Sequence, residues 1–151
     1  MTEIRFYHLT RKTLEQALPE LLEKTLERGL KAVVMTGSVE RAEALTQYLW
    51  TYNPNGFLPH GNAKDGNAEM QPVWITPDDE RPNNADYLFL TDGAASKRLG
   101  EYVRVCDIFD GGDPEAVAAA RRRWTDEKKD GHQLSYWQQT DKGWIDATPK
   151  E

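Results

Sequence analysis

The sequence predicts an α/β fold in one domain. Short apolar runs alternate with amphipathic helical repeats along the first fifty residues, in the order strand, helix, strand, helix. This order is typical of βαβ units, whose strands lie parallel in one sheet. The chain has 151 residues without repeats or a clear boundary, which suits a single domain over residues 1–151. We therefore expect a layered sandwich with a mostly parallel, Rossmann-like sheet and helices on both faces.

The N-terminal elements are predicted from apolar runs and from capping signals. Thr13 and Gln16 have the spacing of a capping box, in which each side chain binds the backbone of the other residue. Leucines then repeat at helical spacing. The predicted order is a strand at Ile4–Leu9, a helix capped by Thr13, a strand at Ala32–Met35 and a helix capped by Ser38.

The second half is predicted to complete a sheet of about five strands. Residues 53–71 are rich in Gly, Asn and Pro and indicate a long surface loop. Asp113, Pro114 and Glu115 combine an N-cap, a first-turn proline and a first-turn acid. The predicted elements are strands at Val73–Thr76, Tyr87–Leu90 and Tyr102–Phe109, a final helix from Asp113 to Gly131, and an edge strand at Leu134–Gln138.

Composition limits the functional classes. The formal net charge is −6, which disfavours strong direct binding to nucleic acid or to an anionic membrane surface. Cys106 is the one cysteine, so neither an internal disulfide nor a cysteine-based zinc site can form. No apolar run reaches 18 residues and the N-terminus has no signal-peptide pattern, so we expect a cytoplasmic protein.

The usual phosphate-binding loop is missing. The first predicted strand is followed by Thr10, Arg11, Lys12 and Thr13, with no glycine. Neither GxGxxG nor GxxxxGK followed by Ser or Thr occurs in the sequence. We therefore expect no nucleotide or other cofactor to bind in the usual mode.

Three aspartates provide an alternative based on metal chemistry. Asp107, Asp110 and Asp113 lie at the end of a predicted strand, where carboxylates can hold Mg²⁺. Asp113 also fits a helix cap, and Asp110 before two glycines fits a turn. A metal- or nucleotide-dependent enzyme built on these residues remains the alternative. Because Asp110 and Asp113 already fit turn and cap roles, we do not expect a metal site here.

The segment Ala120–Trp124 carries a cationic cluster on an acidic protein. Three successive arginines precede Trp124, and Lys128 and Lys129 follow closely. Such a cluster beside an aromatic ring suits a short acidic ligand held by guanidinium groups, although a solvated helix face is the simpler alternative. At about 100° per residue, Arg121 and Lys128 lie near Trp124, whereas Arg123 lies on the opposite flank.

These residues resemble a known family, the chi subunit of bacterial DNA polymerase III holoenzyme. The resemblance is sparse but runs nearly end to end. It includes an arginine, any residue, arginine, aromatic pattern, followed by a glycine. The matching segments are Phe6–Leu9, Phe57–His60, Val105–Phe109, Arg121–Trp124 and Gly131.

The resemblance implies a non-catalytic accessory subunit associated with the clamp loader. Such a protein pairs with the psi subunit and binds the acidic, Phe-ended C-terminal tail of single-stranded-DNA-binding protein. Two family positions in the tail site match Arg121 and Phe57 here. From charge and position we add Arg123, Trp124 and Lys128 as candidates.

The chain departs from the family at two positions beside the key arginine. Val117 and Thr125 stand where the family can place lysines. A third possibility, direct binding of single-stranded DNA through the five tryptophans, is disfavoured by the acidic net charge.

Overall fold

Three helices and seven strands make up the described part of the protein, a computed structural model that describes residues 2–53 and 58–149. Short 3-10 turns at Ala68–Met70 and Leu99–Glu101 interrupt two of the loops. The elements in chain order are β1 (Glu3–Leu9), α1 (Leu14–Glu27), β2 (Ala32–Met35), α2 (Val39–Thr51), β3 (Val73–Thr76), β4 (Tyr87–Leu90), β5 (Arg104–Asp110), α3 (Pro114–Lys129), β6 (Gln133–Thr140) and β7 (Gly143–Asp146).

The strands form one sheet in the order β3-β2-β4-β5-β1-β6-β7. Every neighbouring pair is parallel except β6 and β7, which are antiparallel. Strand β1 lies between β5 and β6, so the beginning of the chain is held inside the sheet. The predicted α/β architecture with a mostly parallel sheet is confirmed.

The helices cover opposite faces of this sheet. Helices α1 and α2 pack on the face that carries Tyr7 and Leu9. Helix α3 packs on the other face, against Ile4 and Phe6. Side chains alternate between the two faces of a strand, so neighbouring residues of β1 belong to different apolar clusters. The prediction of helices on both faces is also confirmed.

Local capping signals set the beginnings of the helices. The hydroxyl of Thr13 accepts the backbone N–H of Gln16 at 3.3 Å, and the Gln16 side-chain carbonyl accepts the N–H of Thr13 at 3.0 Å. Ser38 caps α2 and Asp113 caps α3. These three caps confirm the predicted helix starts. Among the described residues, none of the helices combines the length and apolarity that crossing a bilayer requires.

The C-terminal end of the sheet differs from the prediction. The expected edge strand at Leu134–Gln138 is part of β6, which lies inside the sheet between β1 and β7. The edge is β7, which returns after a two-residue turn and begins at Gly143 with φ +107°. The described residues thus form seven strands where about five were expected. Each of the six predicted strand segments overlaps an observed strand. The seventh strand, β7, was missed because its four residues give only a short sequence signal.

The side chain of Gln139 closes the loop between β1 and α1. Its Oε1 accepts the successive backbone N–H groups of Thr10, Arg11 and Lys12 at 3.2, 2.9 and 2.9 Å. Gln139 is only 7% exposed. Successive N–H groups in a loop form the concavity that binds anions in phosphate loops. Here a neutral amide oxygen from β6 satisfies these donors.

A buried ion pair lies between α3 and the sheet. Arg123 donates from Nε to Asp107 Oδ2 at 2.6 Å and from Nη2 to Oδ1 at 3.0 Å. Burial raises the pKa of the Asp107 carboxyl, and the hydrogen bonds from Arg123 oppose that shift. One helical turn further on, Glu127 is buried, and its Oε2 has no hydrogen-bond partner in the described part of the chain. Burial, and then the charge of Asp107, raise the pKa of Glu127 to about 8.

We expect Gln139→Ala to destabilise the protein by about 1–3 kcal/mol, because three N–H groups lose their acceptor. The midpoint of urea unfolding would measure this loss. Gln138→Ala is the matched control, since Gln138 is the neighbouring residue in β6 and its side chain makes no hydrogen bond with another described residue. Equal midpoints for the two variants would show that the Gln139 oxygen does not hold the loop.

Glu127→Gln should change the pH dependence of stability. Unfolding returns Glu127 to its ordinary pKa of 4.5, whereas the folded pKa is about 8. Between these values the unfolded chain loses a proton that the folded protein keeps, so the parent loses stability as pH rises through this window. The glutamine variant lacks this loss, and its free energy of unfolding relative to the parent should increase from pH 4.5 to 8.

Urea unfolding at several pH values measures that difference. Glu115→Gln, a substitution of an exposed carboxylate on the same helix, controls for general loss of charge. The stability difference between Glu127→Gln and the parent could instead stay constant from pH 4.5 to 8. That result would contradict the raised pKa of Glu127 in the folded protein.

Candidate functional site

A largely apolar groove lies between α3, the sheet and the C-terminal segment, with a volume of about 360 Å³. Helix α3 provides one wall, and β1, β5 and β6 provide the floor. The groove is lined by Phe6, Phe109, Val117, Ala120, Arg121, Trp124, Thr125, Tyr136, Ala147 and Pro149.

Aromatic rings form the body of the groove. The ring of Trp124 lies edge-on to Phe6, with centroids 5.2 Å apart, and edge-on to Tyr136 at 6.2 Å. The centroids of Phe109 and Tyr136 are 6.1 Å apart. These separations are typical of favourable aromatic pairs, which hold the rings in fixed orientations. The Tyr136 hydroxyl also contacts Nδ1 of His8, so its polar end is satisfied by the protein.

Arg121 is an exposed residue that lines the groove from α3. Its guanidinium makes no hydrogen bond or ion pair with any other described residue. Burial lowers the pKa of His8, and the positive charge of Arg121 adds to this shift. The guanidinium therefore acts on the polar end of the groove while its five N–H donors remain available to a ligand.

This combination suits a ligand that ends in an anion and carries an apolar ring. A guanidinium can bind a carboxylate with two parallel hydrogen bonds. An aromatic groove adds contact area for a ring beside that carboxylate. The groove can therefore accommodate the end of a short acidic segment that carries an aromatic ring.

The structure brings together two of the five site residues predicted from the sequence. Arg121 and Trp124 both line the groove. Arg123 instead points to the sheet and pairs with Asp107. Lys128 is exposed on α3 and is not part of the groove lining. Phe57 lies outside the described residues.

The two positions that depart from the family pattern also line the groove. Val117 and Thr125 flank Arg121 by one helical turn on either side. With an apolar and a neutral side chain there, Arg121 is the one cationic residue of the groove lining within the described residues.

Three aromatic groove residues were not predicted as site residues. Phe6 and Phe109 lie on β1 and β5, and Tyr136 lies on β6. Strand alternation alone places Phe6 and Phe109 on the face opposite to Tyr7 and Ile108. Their meeting with Tyr136 depends on the β1–β6 pairing, which pairs Phe6 with Tyr136 and is not visible in the local sequence.

The three aspartates considered for metal binding each have a different structural partner. Asp107 pairs with Arg123 inside the protein. Asp110 accepts the N–H of Gly112 at 2.8 Å, and Asp113 accepts the N–H of Glu115 at 3.0 Å as the cap of α3. Within residues 2–53 and 58–149, no group of three His, Cys, Asp or Glu side chains is arranged to hold a metal ion.

The sequence is similar to known proteins of one family. Residues 1–135 match the family described as DNA polymerase III chi subunit, HolC. A relative from Rickettsia prowazekii (strain Madrid E), named probable DNA polymerase III subunit chi, is 34% identical over 108 residues. That alignment covers 70% of this chain and 66% of the length of the relative. The match over most of the chain shows that the protein belongs to the DNA polymerase III chi subunit family.

Proposed function

We propose that the protein is a non-catalytic accessory subunit of the replicative DNA polymerase. It bridges the psi subunit and the acidic C-terminal tail of single-stranded-DNA-binding protein, and it joins the clamp-loader complex through psi. A cytoplasmic location follows from this role. The observation that carries the proposal is the unpaired Arg121 guanidinium at the apolar groove beneath α3.

The groove complements both groups of the terminal residue of the tail, its aromatic ring and its carboxylate. The terminal Phe ring packs against Trp124, Phe6 and their neighbours, which lie in fixed mutual orientations. The terminal carboxylate accepts two hydrogen bonds from Arg121. Because the ring and the carboxylate belong to the same residue, a groove of this size requires only the last residues of the tail.

Electrostatics give this interaction a local character. The protein carries a formal net charge of −6, and the tail is also acidic, so the two repel at long range. Attraction arises from Arg121 within the groove. Valine at position 117 and threonine at position 125 add no positive charge, so the apolar contacts supply a large share of the binding free energy.

Binding to psi rests on the family membership. Co-expression with psi followed by size-exclusion chromatography tests that part of the proposal. We expect one co-eluting complex of the parent protein with psi. Separate elution of the parent and psi would contradict the bridging role.

We expect Arg121→Ala to weaken binding of a tail peptide by about 1.5–3 kcal/mol, the value of a hydrogen bond to a charged group. This corresponds to a roughly 10- to 150-fold increase in Kd. Titration of a labelled peptide followed by fluorescence anisotropy measures the change. The melting temperature should stay the same, because Arg121 is exposed and unpaired.

Two controls make this measurement specific. Arg122→Ala removes an exposed arginine from the same helix but not from the groove, and it should bind like the parent. A peptide with an amidated C-terminus should bind the parent more weakly than the unmodified peptide does. For Arg121→Ala, amidation of the peptide should cause little further loss of affinity, because the arginine that binds the carboxylate is already absent. Equal affinities of the Arg121→Ala and Arg122→Ala variants would remove the basis of the proposed site.

Added salt should weaken tail binding, but only modestly. Arg121 contributes one positive charge to an open groove, where salt screens its attraction to the carboxylate. The apolar contacts with the Phe ring are not screened. Measurement of Kd from about 0.05 to 0.5 M NaCl should show a gradual increase, and the slope should be smaller for Arg121→Ala. An identical slope in the two proteins would contradict a direct contact between Arg121 and the carboxylate.

A further inference from the structure

A second pocket, on the opposite face of the sheet from the Arg121 groove, is strongly cationic. It has a volume of about 230 Å³ and lies between the second half of α1 and strands β1, β4, β5, β6 and β7. Four cationic side chains line it, and the described lining contains no acidic residue. They are Arg5 on β1, Lys24 on α1, Arg28 directly after α1, and Arg104 on β5.

Two of these arginines are held in place by the protein. Oε1 of Glu3 accepts from Nε of Arg5 at 2.8 Å and from Nε of Arg104 at 2.6 Å. This one carboxylate offsets only one of the four positive charges. Glu3 binds the Nε atoms, and Nη1 of Arg5 also donates to the Tyr7 hydroxyl at 3.5 Å. The terminal nitrogens of Arg104 make no hydrogen bond with another described residue and can donate to a ligand.

Aromatic rings fix the same two guanidiniums from the side. Arg5 lies over the ring of Trp137 at 5.0 Å, and Arg104 lies over the ring of Tyr87 at 4.7 Å. Cation–π contacts of this length stabilise the arginines in one orientation. The cost of ordering these side chains is therefore already met before any ligand binds.

The ring faces of Trp137 and Tyr87 already contact the two guanidiniums, and this limits which ligands the pocket can bind. Tyr87 is only 6% exposed, and Trp137 packs against the core. Neither ring offers a free face to a nucleic-acid base, as a single-strand binding platform requires. The recognition that remains is that of an anion by several guanidinium and ammonium donors.

The floor of the pocket strengthens such recognition. Tyr7, Phe89 and Cys106 are buried there, and Cys106 is only 3% exposed. Surroundings of low polarity increase the electrostatic attraction between a bound anion and the arginines. At the rim, Arg28 donates to the Tyr87 hydroxyl at 3.1 Å, and Lys24 has no partner among the described residues.

We propose that this pocket binds the phosphate group of a small phosphorylated ligand. A phosphate carries up to two negative charges and three acceptor oxygens, which match donors that converge from the strands on one side and from α1 on the other. A single carboxylate would leave most of these donors unused. The site is independent of the tail groove, since no residue lines both.

Isothermal titration of the full chain with inorganic phosphate and with thymidine monophosphate tests this proposal, with sodium chloride of equal ionic strength and sodium acetate as reference anions. We expect saturable phosphate binding that acetate does not compete away. Tighter binding of thymidine monophosphate would identify a nucleotide source, and equal binding would identify free phosphate. No saturable binding of either probe, or acetate binding of equal strength, would overturn the proposal.

Variants place the binding at this pocket. Arg28→Gln and Lys24→Gln alter exposed side chains outside the Glu3 pairs, so they should keep the fold while their combination raises the phosphate Kd at least tenfold. Arg121→Ala should leave phosphate binding unchanged. Phosphate binding that survives the double variant, or that is lost in Arg121→Ala, would overturn the assignment. Displacement of phosphate by thymidine, the nucleoside without a phosphate group, would overturn it as well.

Discussion

The buried ion pair between Arg123 and Asp107 fixes how α3 lies on the sheet. A pair that is buried and bidentate is costly to break by removal of one partner, because the other charge is then left without compensation. Residues along a helix are rotated by about 100° each. When Arg123 is held toward Asp107, Arg121 therefore lies on the other flank, where it reaches the groove together with Trp124. The three consecutive arginines thus have different environments, and one sequence motif supplies both a structural and a binding residue.

Groups that can bind an anion occur at three places on this fold, and the three places differ in whether these groups already have partners within the protein. At the end of β1, where related folds place a phosphate, the carbonyl oxygen of Gln139 already occupies the loop donors. Beneath α3, one free guanidinium borders an apolar groove. On the α1 face, several arginines are held by rings and by Glu3. The loop donors after β1 are thus satisfied by Gln139, and the other two cationic sites lie on opposite faces of the sheet.

Local sequence signals predicted the parts of the fold that depend on local chemistry. Thr13 and Gln16 form their capping box within one helical turn, so their spacing was sufficient. The position of β6 depends on pairing with β1, more than 120 residues earlier, and the short β7 follows a turn that gives little signal. At the site, helical periodicity placed Arg121 beside Trp124 and Arg123 on the opposite flank. It did not identify Asp107 as the partner of Arg123, or Tyr136 as a wall of the groove, since both contacts arise only in the folded sheet.

The central claim is that the acidic tail of single-stranded-DNA-binding protein binds in the groove beneath α3. Nuclear magnetic resonance of the nitrogen-labelled protein tests it most directly, because the chain has five tryptophans whose indole N–H signals report on different regions. Addition of the tail peptide should shift the indole signal of Trp124 and the backbone signals around Arg121, and leave Trp137 and Trp144, on the other face, unchanged. Shifts at Trp137 and Trp144 with no change at Trp124 would contradict the account.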